Sequence, residues 1–350
     1  MDDESKTKER LKEFVKDLEF TPRLDSTVLG GLSTSTLNSQ DVIFRLAIRS
    51  KFRRTKIDAE SQADLKKKIG MAYIDRVPIE FSVPFGGYKN YRLPSFPECD
   101  WAEVFNLRFI ISYLLPIAEV YTPGVILSYS YNSQIMHRVS NLPLEKQRKY
   151  EICFLKLIEQ LSSGLPQNLK IRTQQINQLY ESDSIWEEEF AELFKRNEKQ
   201  WDQLYDASTR DKKMNSARHN LIIDGELDLT GLSRSELEEE YLKSAMMCDA
   251  LDSLSKRRCF NKQSNRIQLV FIGGPKQSIH IGSCAGSTVH FWTGIGVAEV
   301  RKDRMIPTIL TFEQLMRHDS EIKELEIESS FAQFSKNFSK ILFRNSPLAN

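Results

Sequence analysis

The sequence predicts an α/β fold: a Rossmann-like, mostly parallel sheet flanked by helices, with a β-hairpin in the C-terminal part. The segment RVPIEFSVPFGGYK (76–89) has the pattern of a strand that ends in a glycine turn. DWAEVFNLRFIISYLLPIAEVY (100–121) is long and apolar enough for a buried helix, and TPGVILSYSYN (122–132) is rich in strand-forming residues. A strand, a helix and a second strand in this order form a βαβ unit, whose strands are parallel.

The helix predicted after residue 100 carries its own start signal. Asp100 is placed to cap it, and Glu103 stands three residues later, as a capping box requires. This role explains the two carboxylates more simply than chemistry does. Pro116 lies inside the apolar stretch and is expected to kink or end the helix.

Periodicity and turn signals predict the remaining elements. The predicted helices span residues 4–18, 39–52, 144–161, 184–205 and 232–258, and the predicted strands span 168–176, 266–274, 277–283 and 287–294. A pair of shorter helices follows. The 350 residues thus divide into a helical N-terminal extension (1–60), a single α/β domain (61–320) and a C-terminal helical tail (321–350).

Composition excludes several classes of protein. Hydrophobic residues make up 40% of the chain and charged residues 28%, and the formal net charge is only +1, so no overall field attracts nucleic acid or a membrane surface. The charged N-terminus lacks the apolar core of a signal peptide. The apolar run 109–120 is interrupted by Ser112, Pro116 and Glu119 and is too short to span a bilayer. We therefore expect a soluble, cytoplasmic protein.

The five cysteines are odd in number and include no CxxC spacing. This pattern disfavours both a disulfide scaffold and a structural zinc site. A reduced, intracellular chain is the expected state.

A basic cluster follows the second predicted helix and consists of Arg49, Lys51, Arg53, Arg54 and Lys56. A solvated helix end explains such a cluster more simply than a phosphate or nucleic-acid patch does. Nucleic acid is therefore disfavoured as a partner.

The segment QSIHIGSCAGSTVHFWTG (277–294) carries two of the chain's five histidines. A hairpin centred on Ala285 would place His280 opposite His290. Because side chains alternate along a strand, one face would carry Ser278, His280, Gly282, His290 and Trp292. The other, apolar face would carry Ile279, Ile281, Val289 and Phe291. Directly opposed Cβ atoms lie about 4.5–5.5 Å apart, so the two imidazoles would flank one small ligand.

This hairpin has two competing interpretations. Histidine titrates near neutral pH, which suits a proton-transfer site. The alternative is an exposed strand face on which two histidines coincide. A metal site is disfavoured, because two histidines need a third ligand and no HxH or HxxE pattern stands nearby.

Several segments, taken in order, resemble motifs of the pyoverdine/dityrosine biosynthesis family, the isocyanide synthases. They are VPFGGYKN (83–90), SFPECDWAEVFNL (95–107), IAEVYTPGVILSYS (117–130), QSIHIGS (277–283) and HFWTG (290–294). The corresponding family patterns are P-F-x-x-K, P-D-x-x-E, Y-x-P-G-x-x-I-x-I-S-D, and R-L-S-I-H-P with P-W-H-G. The resemblance runs from about Pro84 to Gly294.

Three departures from the family pattern concern the substrate and the reaction. The family's S-D is Ser130-Tyr131 here, followed by Asn132, so an acidic group is missing. The arginine before S-I-H appears as Lys276, and the histidine of W-H-G is replaced by Thr293. His290 is the nearest substitute for that histidine.

The resemblance implies a Rossmann-like core that binds an amino acid and a sugar phosphate similar to ribulose 5-phosphate. Such synthases join the amino-acid amine to the sugar carbonyl and leave the nitrogen as an isocyanide, without metal or cofactor. The expected catalytic residues are His280, His290 and Lys89. The expected substrate- or phosphate-binding residues are Gly86, Gly87, Arg92, Ser130, Lys276, Ser278, Trp292 and Arg218.

The glycine turn itself supports a phosphate site. Gly86 to Lys89 would offer backbone N–H groups and a cation, with Arg92 close behind. A tight structural turn with an exposed lysine explains the same residues equally well. If Lys89 were desolvated, it would instead serve as an amine or general base.

Three functions therefore stand at this point. The first is a biosynthetic enzyme related to isocyanide synthases. The second is a non-catalytic binding or regulatory protein with the same fold, which the missing acid after Ser130 favours. The third is a nucleotide or nucleic-acid modifier that uses the basic cluster at 49–56.

Overall fold

The predicted βαβ unit is present in the computed structural model, which describes residues 3–25, 27–30, 39–224, 231–255, 265–272, 277–302 and 304–345. Strand β1 (Ile79–Pro84), helix α5 (Trp101–Val120) and strand β2 (Val125–Tyr131) follow in order, and β1 pairs with β2 in parallel. The capping box of Asp100 and Glu103 is confirmed. The helix continues past Pro116 to Val120, so the proline does not end it.

Three further parallel strands complete the central sheet. They are β3 (Leu169–Gln175), β4 (Ile267–Val270) and β5 (Ile279–His280), and the strand order is β3-β2-β1-β4-β5. Strands β2 and β3 lie on one side of β1, and the later strands β4 and β5 are added on its other side. The direction in which successive strands are added therefore reverses between β1 and β4. In doubly wound sheets of this kind, ligands bind at the carboxyl edge of the strands near that reversal.

Four helices form a lobe beside this carboxyl edge. The lobe consists of α6 (Ser133–Ser140), α8 (Asp183–Leu204), α9 (Ala207–His219) and α10 (Arg234–Ser255). Its core is built from Val139, Trp186, Phe190, Leu251 and Leu254. Helix α6 starts directly after β2 and packs against α10, which holds the lobe next to the sheet. Helix α9 was not predicted.

The N-terminal extension is helical, as predicted, and it shares the main hydrophobic core. It contains α1 (Asp3–Leu18), the single turn α2 (Thr27–Gly30), α3 (Gln40–Ala47) and the start of α4 (Ala59–Asp75). Leu11, Val15 and Ile43 are buried in the same core as Phe81 of β1. Helix α7 (Leu144–Ser162) also joins this core and connects the lobe's first helix to β3.

The C-terminal part forms a second sheet, and here the predicted helical tail is wrong. Strands β6 (Gly294–Val300), β7 (Met305–Thr311), β8 (Lys323–Glu326) and β9 (Lys340–Asn345) pair in the order β7-β6-β9-β8, with helix α11 (Phe312–Arg317) after β7. Residues 321–345 thus contribute two strands, joined through two single 3-10 turns (Ser330–Gln333 and Lys336–Ser339), and no α-helix. Ile341 and Phe343 alternate into the core, which a short strand achieves and a helix would not.

The predicted histidine hairpin is also wrong. Strand β5 pairs in parallel with β4, with Val270 opposite His280, and only a tight turn between Cys284 and Ser287 is antiparallel. Residues 291–293 form a 3-10 turn instead of a strand. The hairpin of the C-terminal part lies further along the chain, between β6 and β7.

Helix α5 is long and apolar enough to cross a membrane by length and composition alone. Its apolar window is 83% buried inside the protein. Burial between the two sheets and the neighbouring helices therefore explains its composition.

Candidate functional site

One face of the central sheet is polar. Along β1, Phe81 and Val83 point into the core, whereas Glu80 and Ser82 point to the opposite face. Parallel sheets normally bury apolar residues on both faces. Polar side chains on this face therefore indicate a function rather than packing against a helix.

A row of polar side chains crosses this face from edge to edge. The strand register aligns Gln268 of β4, Ser82 of β1, Ser128 of β2 and Arg172 of β3, and Ser278, the residue before β5, lies beside Gln268. Ser278 Oγ lies 3.3 Å from Gln268 Oε1, and Arg172 Nε donates to Ser128 Oγ at 2.9 Å. We call these five residues the polar row.

A second aligned set lies one step closer to the carboxyl edge. Pro84 is opposite Ser130, and Ser130 is opposite Gln174, while His280 occupies the equivalent place on β5. Ser130 Oγ lies 3.2 Å from Ser82 Oγ, which links the two sets. The predicted residues Ser130, Ser278 and His280 therefore share one face.

Two arginines lie around one carboxylate on the same face. Arg266 Nε donates to Glu80 Oε2 at 2.6 Å, and Arg172 Nη2 lies 3.9 Å from Glu80 Oε1. Arg266 Nη1 also reaches Gln174 Oε1 at 2.8 Å. Two guanidinium groups against one carboxylate leave a surplus positive charge, which suits a phosphate or carboxylate ligand. These residues belong to none of the motifs in the sequence, although the alternating polar positions of IEFSV (79–83) and KIRTQ (170–174) indicate a polar face.

His290 lies beside the carboxyl end of β4. Its ring stacks on Trp292, with centroids 4.4 Å apart, and approaches Phe271, the residue that follows β4, at 6.3 Å. Burial lowers the pKa of His290 to about 4, so the ring is neutral at pH 7. Since His280 pairs with Val270, both histidines flank the end of β4 without opposing each other across a hairpin.

The glycine turn after β1 is packed by aromatic rings. A Cβ on Gly86 would lie 2.4 Å from Trp292 Cδ1, and one on Gly87, whose φ is +72°, would lie 2.5 Å from Tyr131 Cδ2. Both positions thus require glycine so that these rings can approach the backbone. The turn is a close-packed part of the site's wall.

Lys89 does not have the free amine that the sequence suggested. Its Nζ lies 2.8 Å from Asp100 Oδ2 and 2.9 Å from Glu103 Oε1, and the side chain is fully buried. Burial alone would lower the pKa of Lys89, but the two carboxylates outweigh it and raise the pKa above its usual value. A charged, fully paired ammonium neither binds phosphate nor acts as a base, so this expectation is corrected.

The lysine belongs to a buried cluster that joins four elements. Asp100 Oδ1 accepts from the backbone N–H of Ala102 at 2.7 Å and of Gly296 at 3.0 Å. Tyr150 Oη donates to Glu103 Oε1 at 2.9 Å. The cluster therefore ties the turn after β1 to α5, α7 and β6, and its role is structural.

Other predicted residues lie away from the polar face. Arg92 pairs with Glu313 at 2.9 Å and covers the ring of Phe312 on the C-terminal side. Arg218 is exposed on α9, 6.0 Å from the ring of Tyr241. Lys276 lies outside the described residues. Among the described ranges, no cluster of three or more histidine, cysteine or acidic residues could hold a metal.

The doubly wound sheet and its polar face define an α/β protein with a candidate ligand site at a topological switch point. Among solved structures, the chain is similar to the PvcA protein from Pseudomonas aeruginosa, with a TM-score of 0.57 and 14% sequence identity over 83% of this chain and 97% of PvcA. This likeness shows a shared fold. No protein-family model matches the chain, and no curated protein matches it in sequence.

Proposed function

We infer that the protein is a biosynthetic enzyme of the isocyanide-synthase type, which condenses an amino-acid amine with the carbonyl of a sugar phosphate similar to ribulose 5-phosphate. The observation that carries this proposal is the polar face of the central sheet, which presents two arginines around Glu80 and, on the edge strand β5, His280. The likeness to PvcA, together with the ordered sequence motifs, supports a distant relationship to that family.

The arginines would anchor the anionic groups of the substrates. Arg172 and Arg266 share one carboxylate, Glu80, so each retains donors for a phosphate or carboxylate. The hydroxyls of Ser82 and Ser130, 3.2 Å apart, would bind sugar hydroxyls or the carbonyl oxygen. Together these groups would fix both reactants on one face.

The condensation itself needs proton transfer. The amine nitrogen attacks the carbonyl carbon, a C–N bond forms, and the carbonyl oxygen leaves as water after taking up two protons that the amine loses. We assign this transfer to His280, on the polar face. His290, neutral because of its lowered pKa, would accept a hydrogen bond at the carboxyl end of β4.

A thermal-shift screen of amino acids with and without ribulose 5-phosphate tests the proposal first. A ligand at about 100 times its dissociation constant stabilises a protein by about 2.7 kcal/mol, which such a screen detects. A joint shift, followed by consumption of both compounds measured by mass spectrometry, is the expected result. The proposal fails if no sugar phosphate shifts the midpoint.

Two variants separate the binding role of Arg172 from the proton-transfer role of His280. Arg172→Gln should weaken sugar-phosphate binding about tenfold, the loss expected for one charge-assisted hydrogen bond. His280→Gln should bind both compounds and fail to consume them. Arg218→Gln is the matched control, because Arg218 is an exposed arginine on the lobe.

A second function is favoured by one residue. Tyr131 ends β2 at the position where the resemblance leads to an acid, and its side chain is buried. A protein that binds the same ligands without consuming them would fit this substitution. Shifts in the screen with no consumption of any pair would favour the binding protein over the enzyme.

A further inference from the structure

A basic cavity lies beyond the edge strand β5, apart from the polar face. Its volume is about 370 Å³, and the basic cluster identified in the sequence lines one wall. Arg53 forms an antiparallel bridge with Ile281, and the backbone N–H of Arg54 donates to the carbonyl of His280 at 2.8 Å. These contacts place the cationic segment on the outer side of β5. We call the cavity the basic pocket.

The charged side chains that line the basic pocket are all cationic. Its cationic members are Lys51, Arg53, Arg54 and Arg108, its apolar members are Leu18, Phe52, Phe105, Phe109 and Pro307, and the remaining described members are Ser112, Gly282, Cys284 and Ala285. No acidic side chain is among these described lining residues. The pocket therefore combines a cationic rim with an aromatic floor.

Two of the four cations are already satisfied. Arg108 pairs with Asp17 at 2.8 Å and also donates to the carbonyl of Phe20. Arg53 donates to the carbonyls of Ile48 at 2.5 Å and Thr55 at 3.2 Å. These two arginines hold the wall of the pocket in place.

The other two cations remain available. Lys51 is 73% exposed and stands 3.9 Å from Asp25, at the limit of an ion pair. Within the described part of the chain, no side chain or carbonyl accepts a hydrogen bond from the guanidinium of Arg54. That guanidinium runs past Gly282, where a Cβ would lie 3.2 Å from Nε. An anion at the mouth would thus meet one guanidinium without a hydrogen-bond acceptor in the described residues and one exposed, loosely paired ammonium.

From this arrangement we propose that the basic pocket binds a small organic anion, with a phosphate or carboxylate held by Lys51 and Arg54 and an aromatic or other apolar body against Phe52 and Phe109. The volume fits a small molecule. The aromatic floor and the small volume disfavour a polymer, which would need an extended charged track. This ligand is distinct from the substrates of the polar face.

Titration calorimetry with 1-naphthyl phosphate, 1-naphthoate and inorganic phosphate tests the proposal. At least one of the two naphthyl anions should bind at a single site. The one that binds more tightly shows whether the pocket prefers a phosphate or a carboxylate. Inorganic phosphate should bind at least about tenfold more weakly, because it lacks the apolar body. Equal binding of inorganic phosphate, or no naphthyl binding at millimolar concentration, would overturn the proposal.

Variants locate the site. Arg54→Gln and Lys51→Gln should each weaken naphthyl binding about tenfold, and Ala285→Leu, which adds bulk at an exposed lining position, should weaken it with the cations intact. Lys56→Gln, an exposed cation of the same cluster that does not line the pocket, should change nothing. Circular dichroism confirms that each variant is folded. Loss of binding in Arg172→Gln but not in Arg54→Gln would place the ligand on the polar face and overturn the proposal.

Discussion

The ammonium of Lys89 lies 2.9 Å from Glu103 Oε1, in a pair from which water is wholly excluded. Asp100 completes the arrangement on the other side, 2.8 Å from the same ammonium. One buried cation thus serves as the shared counter-charge of two buried carboxylates at the start of the central helix. Its removal would leave both without a counter-charge.

Replacing this lysine should destabilise the protein severely. We expect Lys89→Met to lower the free energy of unfolding by about 3–5 kcal/mol, the cost of leaving a buried charge unpaired. Urea denaturation measures the change. Lys68→Met is the control, because Lys68 pairs with Asp64 on a helix surface and should cost about 0.5 kcal/mol or less. Equal losses in the two variants would mean that the buried cluster adds nothing to stability.

The pH dependence of stability should report on Glu103. Burial raises its pKa to about 7, against the opposing effect of Lys89. Between the ordinary value of 4.5 and about 7, the folded carboxyl keeps a proton that the unfolded chain releases. The contribution of this group to the free energy of unfolding therefore falls as the pH rises through that window, by up to about 1.4 kcal/mol per pH unit.

Glu103→Gln cannot titrate, so its unfolding free energy should vary less with pH across the same window. Urea denaturation of both proteins at half-unit pH intervals provides the comparison. If the two profiles run parallel, the ionisation of Glu103 does not change on folding.

His290 should resist protonation. Burial lowers its pKa to about 4, so the folded ring stays neutral while an unfolded histidine gains a proton near pH 6.5. Its contribution to stability is present above pH 6.5 and is lost as the pH falls toward 4. NMR of the imidazole carbons, assigned with His290→Phe, should show this titration. A midpoint near 6.5 would contradict a buried ring.

The close contact of Gly86 with Trp292 should make Gly86→Ala destabilising. The new Cβ would lie 2.4 Å from the indole ring, which must move. We expect a loss of about 1–3 kcal/mol, as for other overpacked sites, and a changed tryptophan emission. Gly70→Ala is the control, because its Cβ would meet only the flexible end of Gln40. An unchanged emission spectrum in Gly86→Ala would contradict the packing of this turn.

Local signals account for what could be predicted of the fold. The capping residues Asp100 and Glu103 start α5, and the alternation of β1 and β2 marks two strands around it, so the βαβ unit and the parallel sheet followed. Alternation along 277–283 placed Ser278 on a polar face, whereas Ser130 was expected from the family resemblance alone. Arg172 and Arg266 were missed, because one glutamate brings them together from β3 and from the residue before β4, which are far apart in the sequence.

The sequence by itself determined the elements whose stability is local: the capped helices, the glycine turn and the strands of the βαβ unit. The tertiary structure decided which partners those elements found. Residues 279–280 could pair within a hairpin or with β4, and they joined β4. Lys89 follows a glycine turn that would suit an exposed cation, yet the packing of α5 against the second sheet buried it between two carboxylates. Such outcomes depend on a competition between distant partners for the same hydrogen bonds and the same buried space, and a pattern along the chain does not contain that comparison.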